Sequence, residues 1–149
     1  MSQSLVNILV HVVFSTLDRK PWIGDAWRDD LHSYAGGIIR HCGSTLLAAN
    51  SVEDHIHLLF LLPKELPISE VVRRIKMGTT HWITEQEHVN HFRWQKGYGA
   101  FSVSERLKEE AIRYIEKQRE HHRHVTFQDE YRRFLEKAGA TFDERYVWD

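Results

Sequence analysis

The spacing of apolar residues switches between strand-like and helix-like along this chain, and the order of those switches constrains the fold more than any other feature. The run "VNILVHVVFS" (6–15) is rich in β-branched residues and is ended by charge, Pro21 and Gly24, as a strand would be. "AWRDDLHSYAGGIIRHCG" (26–43) spaces Trp27, Leu31, Tyr34, Ile38 and Ile39 at three- and four-residue intervals, which predicts an amphipathic helix stopping at Gly43. "STLLAANSV" (44–52) and "HIHLLFLLP" (55–63) are short apolar runs separated by polar residues and closed by Pro63, predicting an antiparallel pair. A second helix is expected through "LPISEVVRRIKMGTTHWITEQEH" (66–88), with Ser69 as its cap and Val72, Ile75, Thr79, Trp82 and Ile83 along one side. "HFRWQKGYGAFSVS" (91–104) alternates Phe92, Trp94, Phe101 and Val103 about a Gly97–Gly99 break, predicting a fourth strand with an internal bend.

The order βαββαβ predicts an α+β, ferredoxin-like fold: an antiparallel four-stranded sheet with two helices on one face and the other face open for function. Beyond it, Ser104 through Arg123 reads as one long helix, "TFQDEYRRFLEKAGA" (126–140) as a last helix, and the aromatic tail "TFDERYVWD" as a segment that packs back. No linker or repeat divides the chain, so residues 1–149 are expected to form a single domain. Twenty Lys and Arg against 21 Asp and Glu give a net charge of −1, so any nucleic-acid footprint must be local. Cys42 is the sole cysteine and excludes an internal disulfide; with no signal-peptide pattern or spanning apolar segment, a cytoplasmic location without membrane attachment is expected.

Two of the eleven histidines sit where strand "HIHLLFLL" begins. Successive strand side chains alternate faces, so His55 and His57 share one face while Ile56, Leu58 and Phe60 take the other. Their Cα atoms lie about 7 Å apart at ~3.4 Å per residue, near enough for both rings to reach one cation. The ordinary alternative is one ring in a buried hydrogen bond and the other in solvent. His122 and His124, two apart on a helix, point to different sides and are expected to be solvated. In "SERLKEEAIRYIEKQREHH" the stripe Leu107, Ala111, Ile112 and Ile115 should be buried; Gln118 falls near its middle, with Tyr114 one turn earlier at its edge. A buried amide without a partner costs about 1–3 kcal/mol, so Gln118 should bind something, and its carbonyl oxygen is a competent ligand for a divalent cation.

An HxH followed by Tyr and Gln four apart in "YIEKQ", together with "HVVFSTLDRKPWI", "DHIHLLFLLP", "WQKGYGAFSVS", "YIEKQREHH" and "FDERYVW" in this order, resembles the HUH single-tyrosine transposases of the insertion-sequence two-hundred type, including the REP-associated tyrosine transposases. The resemblance implies that His55, His57 and Gln118 bind a divalent metal, Mg²⁺ or Mn²⁺, and that Tyr114 is the catalytic nucleophile. Metal-assisted transesterification of single-stranded DNA would then cleave and rejoin strands through a 5′-phosphotyrosine intermediate. It further implies hairpin substrates, either element ends or repeated palindromes, and a homodimer in which the tyrosine helix serves its own or its partner's histidines. Arg73, Arg74 and Lys76 on the second helix are candidate DNA contacts, weighed against a solvated polar face. Two other function classes stay open: a non-catalytic single-stranded nucleic-acid-binding module, and a metal-dependent phosphodiester hydrolase in which water attacks.

Overall fold

A computed structural model describes residues 2–149. Its strands are β1 (Leu9–Ser15), β2 (Leu46–Val52), β3 (His55–Leu61) and β4 (Gly99–Val103), ordered β2-β3-β1-β4 with every pairing antiparallel. Helices α1 (Arg28–His41) and α2 (Ile68–Glu85) follow β1 and β3, which completes the expected βαββαβ unit. Strand alternation assigns Val10, Val12 and Phe14 of β1 and Ile56, Leu58 and Phe60 of β3 to one face, all buried with Leu31, Ala35 and Ile39 of α1 and Val72, Ile75 and Ile83 of α2. The two helices approach closely at Gly78, where a methyl group would collide with Ile38. Trp94 seals this core by donating its indole N–H to Thr79 Oγ1 at 2.9 Å.

Several expectations are corrected. α2 begins at Ile68 with Pro67 at its cap position, so Ser69 lies inside the first turn; Pro67 fixes the entry and needs no N–H there. The fourth strand starts at Gly99; Trp94 makes only an isolated bridge to Thr16, because the Gly97–Gly99 segment breaks the pairing between them. The late helix is not continuous. It comprises a 3-10 turn over Glu105–Leu107, α3 (Lys108–Glu116) and α4 (Gln118–His121), with Lys117 leaving helical geometry at φ −95°, ψ 14°. Leu107, in the 3-10 turn, is 44% exposed instead of belonging to a buried stripe, whereas Ile115 is fully buried.

The second sheet face is not open. Its apolar residues Val13, Ala48 and Leu59 are covered by Ile115 of α3 and by Phe127, Tyr131 and Leu135 of α5 (Phe127–Lys137). The tail packs back as expected, with Phe142, Val147 and Trp148 against the α5 cluster. Gly99 admits Tyr131, whose ring would clash with a side chain there. Among the described residues no helix is long and apolar enough to cross a membrane.

Candidate active site

The covered face buries polar residues beneath α3–α5. His55 and His57 lie on it with their side chains fully buried, opposite Ser15 and Val13 of β1. His55 Nδ1 is 2.6 Å from Asp54 Oδ1 in the β2–β3 turn, and its Nε2 is 3.0 Å from His122 Nε2 and 3.6 Å from Glu130 Oε1. His57 Nδ1 is 2.8 Å from His11 Nε2, and its Nε2 is 2.8 Å from Glu130 Oε1. Each imidazole is thus oriented through one nitrogen and turns the other toward a common centre, as metal-ligating histidines do. Ligand atoms of His55, His57, His122 and Glu130 all lie within 4.8 Å of one another. Two opposed ligands at ~2.1 Å from one ion stand about 4.2 Å apart, so this donor set fits a divalent cation.

Glu130 joins that cluster to the phenol. Its Oε1 faces His57 and, at 3.2 Å, His122 Nε2, while its Oε2 accepts the Tyr114 O–H and lies 3.3 Å from His121 Nε2. Tyr114 is 6.0 Å from His57 between ring centroids, so one chain brings phenol and imidazoles together. Burial opposes ionisation of Glu130, but hydrogen bonds from His122, His55 and His57 outweigh it and hold the carboxyl far below its usual range. Burial, with the charge of Glu130, pushes the Tyr114 phenol well above its ordinary value, so it is a proton donor in this state. Burial also lowers His57 to about 4 against the opposing charge of Glu130, and lowers His11 to about 3, so both are neutral, the form that binds metal. At His55 burial works against the charged form, yet Asp54 and Glu130 prevail and raise its pKa.

Gln118 opens α4 and is fully buried. Its Nε2 donates to the Tyr114 backbone carbonyl at 3.2 Å, while its Oε1 is buried with no hydrogen-bond partner. An orphaned acceptor beside the cluster is the feature a further ligand would explain.

The candidate DNA contacts lie elsewhere. α2 covers the opposite face of the sheet, where Arg73 and Arg74 are exposed and bound to Glu70 at 2.6 and 3.0 Å. Lys76 donates to the carbonyl oxygens of Gln95, Lys96 and Gly97, fastening the segment before β4, and burial lowers it to about 8.

His122 is a correction: it is drawn into the cluster instead of standing in solvent, because it follows α4 at a point where its ring meets His55 at 3.0 Å and Glu130 at 3.2 Å. Glu130 is not among the residues expected from the sequence, although it is a lone acid in the stripe Phe127, Tyr131, Phe134 and Leu135, the same signal that singles out Gln118. His11 was visible as a polar interruption of the first strand.

The sequence matches the family described as "Transposase IS200 like" over residues 4–118. No curated protein matches it. Among solved structures, the chain is similar to a protein from Deinococcus radiodurans R1 assigned as a transposase, with a TM-score of 0.62 and 22% identity, covering 79% of this chain and 98% of that one. It is likewise similar to a REP-associated tyrosine transposase bound to a REP hairpin, with a TM-score of 0.62 and 17% identity over 84% of this chain and 76% of the other.

Proposed function

The chain belongs to the IS200-like transposase family, and from that premise we propose that it cleaves and rejoins single-stranded DNA at hairpin ends through a 5′-phosphotyrosine intermediate on Tyr114. The observation that carries this reading is Glu130, whose single buried carboxylate touches both the Tyr114 hydroxyl and the paired histidines. His55, His57, His122 and Glu130 would hold a divalent ion, with Gln118 Oε1 as a further donor. Such an ion, Mn²⁺ or Mg²⁺ by the mixed nitrogen and oxygen set, supplies Lewis acidity that offsets charge developing on the scissile phosphate.

The chain's own groups account for the proton. Tyr114 is protonated and aimed by its hydrogen bond to Glu130 Oε2. A carboxylate held so far below its ordinary pKa is a weak base, so the phenolic proton moves to Glu130 as the Tyr114 oxygen–phosphorus bond forms, not beforehand. The phosphorus–O3′ bond breaks in the same displacement, and the 3′ oxygen leaves as an alkoxide that takes up a proton from solvent to become the 3′ hydroxyl. One phosphoester replaces another, so the reverse step joins the held 5′ end to a different 3′ hydroxyl.

Hairpin DNA is supported by the similar fold of the transposase bound to a REP hairpin. Element ends and dispersed palindromes are the two sources of such hairpins. The homodimer implied by the resemblance is part of the proposal, although the phenol and imidazoles already meet within one chain. Incubation with labelled hairpin oligonucleotides and Mn²⁺ should give a protein–DNA adduct that survives denaturation and is absent from Tyr114→Phe. Glu130→Gln should lower adduct formation by roughly 10²-fold or more. Cleavage that persists in Tyr114→Phe would identify a hydrolase, and binding without metal-dependent cleavage a recognition module.

A further inference from the structure

Beside Tyr114 a cleft of about 450 Å³ opens between α3, α5 and the β4 edge, with His11, His121 and Glu130 also in its lining. Its apolar wall comprises Leu107, Ala111 and Phe134, and its cationic rim is Arg133 and Lys137. The size and wall chemistry suit one planar, half-apolar group. Leu107 is 44% exposed where a leucine gains nothing from solvent, and Phe134 is half-buried, with one ring face stacked on Phe101 at 5.2 Å.

The rim charges are free. Arg132 is bound to Glu144 and Asp129 on the outer side of α5. Arg133 and Lys137, four residues apart and thus about 6 Å along the axis, have no carboxylate partner among the described residues. Glu130, Arg133, Phe134 and Lys137 follow at i, i+3, i+4 and i+7, so one stripe of α5 runs from the Tyr114 hydroxyl out along the cleft. Glu110 lines the other side, repelling phosphate there and offering an acceptor to an exocyclic amine. In a chain of net charge −1, this is a local cationic track leading to the nucleophile.

We infer that this cleft is the subsite for the unpaired nucleotide adjoining the scissile phosphate of single-stranded DNA, its base against Phe134 and Leu107 and its backbone phosphates on Arg133 and Lys137. The inference rests on the reading that Tyr114 meets DNA. A base held there presents its own phosphate at the Tyr114 oxygen, so the cleft sets which phosphodiester is attacked.

The test is equilibrium binding, read by fluorescence anisotropy, of labelled dA15 to the full chain carrying Tyr114→Phe, without metal. Adding Arg133→Ala with Lys137→Ala should weaken binding and reduce the slope of log affinity against log salt by about 1.4, the change expected when two phosphates of a single strand are no longer neutralised. Leu107→Trp, which fills the cleft, should weaken binding at least fivefold with the salt slope unchanged, and Phe134→Leu should cost roughly five- to hundredfold through lost stacking. Arg73→Ala with Arg74→Ala should leave affinity near the parent value. Parent-like binding by both the Arg133/Lys137 and the Leu107 variants would overturn the subsite, and equal losses with rA15 would overturn its assignment to DNA. Because covalent capture is read separately, adduct formation alongside indifferent variants sinks the subsite alone. Sensitive variants without any adduct from the Tyr114 protein sink the catalytic reading alone.

Discussion

Gln118 carries an amide with one end satisfied and the other stranded: Nε2 bonds to the carbonyl of Tyr114, while Oε1 is buried without a donor. Leaving such an acceptor dry costs about 1–3 kcal/mol, a cost that a bound cation would offset. Gln118→Leu should therefore leave the stability of the metal-free protein unchanged or raised, and weaken Mn²⁺ binding roughly ten- to hundredfold. Calorimetric Mn²⁺ titration paired with thermal melts checks both; a destabilised variant with parent-like Mn²⁺ affinity would show that the glutamine only packs. The same reasoning explains what the sequence disclosed. A lone polar group in an apolar stripe can be read from spacing, which singled out His55, His57 and Gln118 and would equally have singled out Glu130. Partnership between residues 73 positions apart, such as His57 and Glu130, depends on how α5 docks and leaves no local periodicity.

At the scale of elements, the strands and first two helices were legible because alternation and 3.6-residue spacing are strong in them. The interruption at Lys117 was not, since "EEAIRYIEKQREHH" consists of good helix formers throughout and nothing local forbids a continuous helix. Breaking there starts α4 at Gln118, on the segment that carries His121 and His122 toward Glu130. α5 is the element on which the site depends most, because Glu130, Arg133 and Phe134 all belong to it. Its first turn is fixed by Thr126, whose side chain accepts from the Asp129 N–H at 3.2 Å. Thr126→Ala should cost about 1 kcal/mol in urea denaturation, while Thr126→Asp retains the cap and most of the stability. Equal stability of the alanine variant and the parent would mean that tertiary packing alone sets this end of α5.

For the molecule as a whole, the two helices of the βαββαβ unit predict an open second sheet face, but Val13, Ala48 and Leu59 are apolar on that face. A face carrying such residues gains by being covered, and α3–α5 cover it, sealing titratable groups inside. That enclosure buries His11 and His57, and His32 of α1 is half-buried on the other face, 2.8 Å from Ser51 Oγ; together they give the fold an acid limit. Burial, the leading cause in each case, lowers His11 to about 3, His32 to about 4 and His57 to about 4 from an ordinary 6.5. Between pH 6.5 and 4 the unfolded chain binds protons at these three sites that the folded chain refuses, so stability rises with pH across that window and is lost on acidification. His55 has the opposite sign: its raised pKa contributes stability that is fully present below 6.5 and is lost only as pH climbs through the folded value, above the window. Near pH 5 the three lowered sites together give a slope of about 4 kcal/mol per pH unit, comparable to the whole stability of many domains. The metal-free protein should therefore show a urea midpoint at pH 5.5 well below its pH 7 value. His32→Gln, which leaves the cluster untouched, should flatten the slope by about one-third. A midpoint constant from pH 7 to pH 5 would mean that these imidazoles are hydrated in the folded state and that the enclosed face is not sealed.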